Sequence, residues 1–242
     1  MAEFLSYAKR LVILTGAGAS TESGIPDFRS PGGVWTRYRP IEFADFLASE
    51  DARREAWRRK FALDATLARA APSRGHRAVA ELVRRGSVPV VVTQNIDGLH
   101  QASGVPEASV VELHGNTTYA RCLGCGRRYE LDEIRSAFER EGRPPGCASC
   151  GGHVKTATIS FGQPMPEEAM ARAAEAALAC DLFLAVGSSL VVHPAASFPV
   201  VARRNGARLV ILNRETTALD EIADLVLNLE IGATLGGAVG VD

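Results

Sequence analysis

The sequence predicts an α/β protein built on a doubly wound parallel sheet, and three observations carry that prediction. Short apolar, mostly β-branched runs at residues 11–14, 88–93, 110–113, 181–186, 208–212 and 223–229 alternate with longer stretches of helical composition. Most of these runs end on Gly, Ser, Asn or His, where open parallel sheets bind their ligands. The first run enters a glycine-rich turn, Gly16-Ala17-Gly18-Ala19-Ser20. Glycines there tolerate positive φ and let backbone N–H groups approach an anion, so the turn reads as a nucleotide phosphate site. The match to G-x-G-x-x-G is incomplete, because Thr21 stands in the third glycine's place.

In order along the chain, residues 23–33 hold two prolines and three glycines and read as a loop; with Phe28 and Arg29 it resembles a lid over a cofactor. Residues 41–70 have few breakers and read as one or two helices. Ser73 is placed to cap a helix running to Arg85, with His76 a structural residue inside it. The strand at 88–93 delivers Gln94, Asn95 and Asp97 to a carboxyl end, and the strand at 110–113 delivers His114 and Asn116. Residues 156–161 read as a strand, 167–180 as an Ala-rich helix and 193–205 as another helix. The strand at 181–186 ends on Gly187-Ser188-Ser189, and that at 208–212 on Asn213-Arg214-Glu215, groups suited to an adenosine.

Between 119 and 156 the texture changes. Cys122-x-x-Cys125 and Cys147-x-x-Cys150, with Gly124 inside the first knuckle and Gly146 and Gly151 flanking the second, form a four-thiolate set that one zinc ion fills. Four cysteines leave no open coordination position, so this zinc reads as structural. Cys180 lies outside both pairs and reads as a buried small hydrophobe.

At 242 residues the chain is large enough for one domain and a smaller second unit. A net charge of -1 and pI ≈ 6.5 supply no field for holding nucleic acid or an anionic membrane. No run approaches the ~18 apolar residues of a membrane span, and no signal peptide is visible, so a cytoplasmic location is the expectation.

Taken together, Gly16-Ala17-Gly18-Ala19-Ser20, Gly24-Ile25-Pro26-Asp27-Phe28-Arg29, Gln94-Asn95-Ile96-Asp97-Gly98, His114-Gly115, the paired knuckles, Phe161-Gly162 and Gly187-Ser188-Ser189 resemble, in that order, the sirtuins, the NAD-dependent protein lysine deacylases. The likeness is to a bacterial-type member with little beyond the catalytic core. It implies a Rossmann-like NAD-binding domain (1–35, 72–118 and 157–242) and a small domain with a helical module (36–71) and a zinc module (119–156). It also implies that Gly16, Ala17, Gly18, Ser20 and Arg29 serve the pyrophosphate, and that Phe28 covers the nicotinamide ribose. Ile25, Asn95, Ile96 and Asp97 are expected at the nicotinamide, and Gln94 and His114 at its ribose. Gly187, Ser188, Asn213, Glu215 and Ile231 are assigned to the adenosine half. His114 is the expected base, with Asn95 and Asp97 completing the catalytic set. The acyl-lysine peptide is expected to pair as a strand between Phe161-Gly162-Gln163 and Leu190-Val191-Val192-His193, with Ile159, Phe161 and Val192 walling the lysine stem.

Two departures from the family pattern bear on substrate choice. Gln163 replaces a common Glu, which touches peptide-edge electrostatics. Trp57 and Lys60 fall where sirtuins that prefer acidic acyl groups carry Tyr and Arg, so acidic-acyl preference is not expected, with Lys60 or the adjacent Arg58 and Arg59 the cations that could partly replace the Arg. The implied activity is transfer of the acyl group from lysine to ADP-ribose with release of nicotinamide, by a monomer acting on acyl-lysine proteins without nucleic acid or membrane. The alternatives are protein mono-ADP-ribosyl transfer and a non-catalytic NAD binder. A dehydrogenase is disfavoured because residues 32–39 read as loop rather than as a strand ending on an acidic residue.

Overall fold

The computed structural model describes residues 1–27, 33 and 39–242. In chain order the elements are α1 (Ala2–Tyr7), β1 (Leu11–Thr15), a 3-10 segment (Ala17–Ser23), α2 (Phe43–Ala48), α3 (Glu50–Leu67), α4 (Arg74–Arg84), β2 (Val90–Thr93) and α5 (Leu99–Ala102). Then come β3 (Val110–Glu112), β4 (Gly115–Cys122), β5 (Arg128–Glu130), α6 (Leu131–Glu141), β6 (Val154–Thr158) and α7 (Glu167–Ala179). The chain closes with β7 (Leu182–Val186), α8 (Ser197–Arg204), β8 (Arg208–Leu212), β9 (Leu225–Leu227) and α9 (Ile231–Val239).

Six strands form a parallel sheet in the order β3-β2-β1-β7-β8-β9. The order reverses between β1 and β7, which makes their carboxyl ends the switch point where such sheets open a crevice. All five residues of β1 are buried, and alternation sends them to opposite faces. Leu11 and Ile13 join one core with Ala78, Val79 and Leu82 of α4 and Leu235 and Val239 of α9. Val12 and Leu14 join the other, with Ala173 and Ala177 of α7 and Phe198 and Ala202 of α8. Each fully buried Leu or Ile contributes about 1.5–3 kcal/mol of transfer free energy, so both faces must be covered for the strand to be stable.

A second sheet is antiparallel, in the order β5-β4-β6. The strand expected at 156–161 therefore lies earlier, at Val154–Thr158, and belongs to this small sheet, where Val154 pairs with Cys122 and Thr156 with Ala120. Its buried residues Ala120, Cys122 and Val154 join Ile134 and Phe138 of α6 and Trp57 of α3. Phe61 stacks between Trp57 and Phe138, with ring centroids 5.4 and 5.6 Å away. Beside it Lys60, nearly fully buried, pairs with Asp64, and Asp64 also accepts from Arg135 at 2.7 Å. Burial lowers the Lys60 pKa from its ordinary value, and the Asp64 bond opposes that shift.

Other differences from the sequence expectation have local causes. β2 begins at Val90 because Pro89 has no N–H to give the ladder. The helix expected from 193 starts at Ser197, which leaves Pro199 in its first turn where proline is tolerated. α9 was not expected, since Ile231–Val239 holds three glycines and has poor helix propensity. Two of those glycines permit close packing: a Cβ on Gly236 would lie 2.5 Å from Arg74 Nε, and one on Gly232 would lie against the Glu22 carboxylate.

Asp64→Ala would strand the Lys60 ammonium in an apolar setting and should cost about 3 kcal/mol, whereas Lys60→Met, which leaves Asp64 its Arg135 partner, should cost much less. Urea unfolding of both variants checks this; equal losses would show that Lys60 is solvated.

Candidate active site

The turns after β1 and β7 interlock backbone to backbone. Gly16 N–H donates to Val186 O at 3.0 Å, and Gly18 N–H to Gly187 O at 2.8 Å. A Cβ on Gly16 would come 2.7 Å from Gly187 O, and one on Gly187 (φ 62°) would come 2.3 Å from Ala19 N. Since the Gly18 N–H is already engaged, that glycine's contribution is room rather than a donor.

Beside this interlock opens a cavity of about 930 Å³. Its lining includes Gly16, Ala17, Gly18, Gln94, Asn95, Ile96, His114, Gly187, Ser188, Asn213, Glu215 and Ile231 from the expected cofactor set. Ile159, Phe161, Gly162, Val191 and Val192 from the expected peptide set line it as well. Ser20, Ile25 and Asp97 are not among its lining residues, and Phe28 and Arg29 lie outside the described residues. The fit to a dinucleotide is physical: turn glycines that let two strand ends meet at the cavity's edge with no side chain between them, polar strand ends on both sides of the switch point, and sufficient volume.

His114 sits just past β3, and its Nδ1 is 2.9 Å from Gln94 O. A carbonyl can only accept, so Nδ1 carries the proton and the Nε2 lone pair is left as the base. Burial lowers the His114 pKa below the usual histidine value, partly opposed by the Gln94 bond, which keeps the ring neutral near neutral pH. Gln94 itself donates to Ser188 Oγ at 2.9 Å. The expected peptide edges expose apolar surface in the same cavity: Phe161 is 46% and Val191 52% exposed. Phe161 O already accepts the Phe43 N–H, at 2.9 Å, so the helical module touches this edge.

Ser20 and Asp97 form a layer beneath. Ser20 Oγ donates to Asp97 Oδ2 at 2.7 Å, Leu99 N–H donates to Asp97 Oδ1 at 2.9 Å, and Asn95 Nδ2 donates to Gly16 O and Ser20 Oγ. His76 Nε2 lies 3.5 Å from Ser20 Oγ, while His76 Nδ1 completes the capping box with Ser73. The sequence reading held His76 to be structural and did not single out His100. Their rings pack edge to face with centroids 5.1 Å apart. Thr15 Oγ1 donates to Thr93 Oγ1 at 2.8 Å, so it accepts from His100 Nε2–H, also at 2.8 Å. His100 Nδ1 is then a bare acceptor with no partner among the described residues. The only sequence signal for His100 is its place five residues after Asn95, where it falls in α5.

The four knuckle sulfurs lie within 4.8 Å of one another, with Cys122 and Cys150 at 3.4 Å and Cys125 and Cys147 at 3.6 Å. Zinc–thiolate bonds of roughly 2.3 Å give tetrahedral edges of about 3.8 Å, so the set fits one zinc ion. The Tyr129 hydroxyl donates to Cys147 Sγ at 3.1 Å and holds that thiol down at about 5, in the thiolate form a metal requires. Neither Trp57 nor Lys60 lines the cavity: Trp57 faces the zinc module and Lys60 is held by Asp64. Among the described residues no helix is long and apolar enough to cross a membrane.

A parallel switch-point sheet with a glycine cradle, a neutral histidine in the same cavity and a closed four-thiolate site define an α/β protein of the dinucleotide-using, zinc-stabilised kind. The Sir2 family model matches residues 16–194. The NAD-dependent protein deacetylase of Rhodopseudomonas palustris is 61% identical over 240 residues, 99% of this chain and 95% of its own. NAD-dependent protein deacetylase 1 of Bradyrhizobium diazoefficiens is also 61% identical, over 99% and 94% of the two chains. Among solved structures, a Sir2 complex with p53 peptide and NAD+ superposes with a TM-score of 0.86 at 34% identity, covering 98% of this chain and 95% of that one. The chain belongs to the Sir2 family.

Burial pushes His100 down to about 3 from its usual 6.5. Between those values the unfolded chain binds a proton that the folded chain refuses, so the His100 contribution is complete above pH 6.5 and is lost as pH falls below it, at up to ~1.4 kcal/mol per pH unit. Unfolding free energies measured between about pH 5 and 7.5 should therefore fall less steeply with acid in His100→Gln than in the parent. Identical slopes would show that His100 is protonated when folded.

Proposed function

We infer that this protein is an NAD-dependent protein lysine deacetylase. The observation that carries the reading is that His114, neutral and with Nε2 free, shares one cavity with both the glycine cradle and the exposed apolar edges of Phe161 and Val191. NAD, when bound, supplies the ADP-ribosyl group that takes up the acyl group as nicotinamide leaves.

The roles proposed for the chain's own residues follow their surroundings. Ala17 and Gly18 give the phosphates close approach to backbone, and Asn95 and Ile96 wall the nicotinamide. Ser20 and Asp97 hold that wall from behind, since both side chains are engaged within the protein beneath the cavity. Asn95 is fixed by Gly16 O and Ser20 Oγ, so the nicotinamide wall is tied to the phosphate turn. His114 takes the proton of a ribose hydroxyl through Nε2. Ile159, Phe161 and Val192 shield the lysine stem, and the peptide backbone adds as a strand between the two edges.

The reading extends to a monomer working in the cytoplasm on acyl-lysine proteins, with neither nucleic acid nor membrane taking part. The NAD-binding part comprises 1–35, 72–118 and 157–242, and the smaller part comprises 36–71 and 119–156. Lys60 is held by Asp64, Arg58 and Arg59 pair with Glu55, and none of the three is among the cavity's described lining residues, which favours acetyl and other neutral chains.

The test is product analysis of the purified protein with NAD and acetyl-, butyryl- and succinyl-lysine peptides, following nicotinamide and acyl-ADP-ribose by mass. The expected outcome is one nicotinamide and one acyl-ADP-ribose per deacylated peptide, with succinyl at least about tenfold poorer. His114→Ala should lose about 10²–10⁴-fold in rate while binding NAD within a few-fold of the parent. ADP-ribose attached to protein would instead identify a transferase, and NAD binding without turnover a non-catalytic binder.

A further inference from the structure

The cavity's second wall lies four strand spacings from His114, roughly 19 Å across the sheet, where β8 and β9 end and α9 begins. Asn213, Arg214, Glu215, Glu230 and Ile231 line it there. Arg214 is the only Lys or Arg among the described lining residues. Its guanidinium is already clasped: Nε reaches Glu230 Oε1 at 3.1 Å and Nη2 reaches Glu230 Oε2 at 2.9 Å, the two parallel bonds of a fork on a carboxylate. Glu215 adjoins it in sequence, and Glu22 also lines the cavity, fixed by the Gly232 N–H at 2.8 Å. One guanidinium and three carboxylates leave this wall with a net charge of -2. Both partners of the pair are more than half exposed, so it adds little to folding stability, and its effect is electrostatic neutralisation of the one Lys or Arg among the described lining residues.

We propose that the Arg214–Glu230 pair makes this site select a dinucleotide with a free 2′-hydroxyl on its adenosine ribose and reject one carrying a 2′-phosphate. The inference rests on the NAD reading above. In switch-point sheets a carboxylate near the ribose suits the hydroxyl, and an arginine is what accommodates the phosphate. Here the arginine is present, but Glu230 occupies the same fork a phosphate would use, and Glu215 and Glu22 repel a second anion. Removing the Glu230 charge should therefore turn Arg214 into a phosphate ligand.

Titration calorimetry of NAD and of NADP, each against the parent protein, Glu230→Gln and the double variant Glu230→Gln/Arg214→Gln, tests this without turnover. The parent should bind NAD at least about tenfold more tightly than NADP. Glu230→Gln should narrow that ratio by about fivefold through tighter NADP binding, and the double variant should lose the gain. Equal affinity of the parent for both dinucleotides, or an unchanged ratio in Glu230→Gln, would overturn the proposal while leaving the NAD reading intact. Absence of NAD binding to the parent would overturn both.

Discussion

The contact on which the rest depends is the approach of Gly18 to Gly187. Two strand-end turns meet there with no side chain between them, and Gly187 also donates its N–H to Leu212 O at 2.9 Å. Three neighbouring strands, β1, β7 and β8, are thereby locked at their carboxyl ends. Several of the cavity's polar groups hang from that lock. Asn95 is anchored on Gly16 O, Gln94 on Ser188, and Asn213 follows directly on β8. A Cβ at Gly16, Gly18 or Gly187 would force the turns apart and shift both halves of the proposed dinucleotide site together.

Beneath the cavity floor lies a layer that a sheet of this kind would ordinarily fill with hydrocarbon. Thr15, Ser20, His76, Thr93, Asn95 and His100 are all buried. Burying so many polar groups is tolerable only because each takes its partner from the next, and the direction of donation is fixed along the chain from His100 to Thr15 to Thr93. That direction requires neutral His100 with its proton on Nε2. His100 Nδ1 is the exception without a partner among the described residues, while turning Thr15 or Ser20 would orphan a neighbour.

The main sheet was legible because its strands are short, β-branched and bounded by turn residues, and because their polar ends line one cavity. The zinc ligands were legible from spacing alone. What was not legible depended on contacts distant in sequence. α9 reads poorly because its glycines are chosen for packing against Arg74 and Glu22 rather than for propensity. β6 was placed too late because Thr156 to Phe161 alternates acceptably as a strand, and only pairing with β4 shows where the ladder stops. His76 and His100 carry no local signal of adjacency, being 24 residues apart and joined only through the fold.

The small antiparallel sheet and the helix α3 are separated by about fifty residues of chain that belong to the large sheet, yet they share one core. Trp57 reaches from α3 to Ala120 and Cys122, so a metal-ligating cysteine and the helical insertion sit in the same cluster. Arg135 of α6 meets Asp64 of α3 at the same joint. The four-thiolate site has no open position and no access to the cavity lining, so its contribution is mechanical. By fixing Cys122 and Cys147 it fixes the seat of Trp57, and through α3 the position of α2, whose Phe43 N–H donates to Phe161 O at the proposed peptide edge. The four-thiolate site and the proposed peptide edge are thus connected through one shared core, two neighbouring helices and a backbone hydrogen bond.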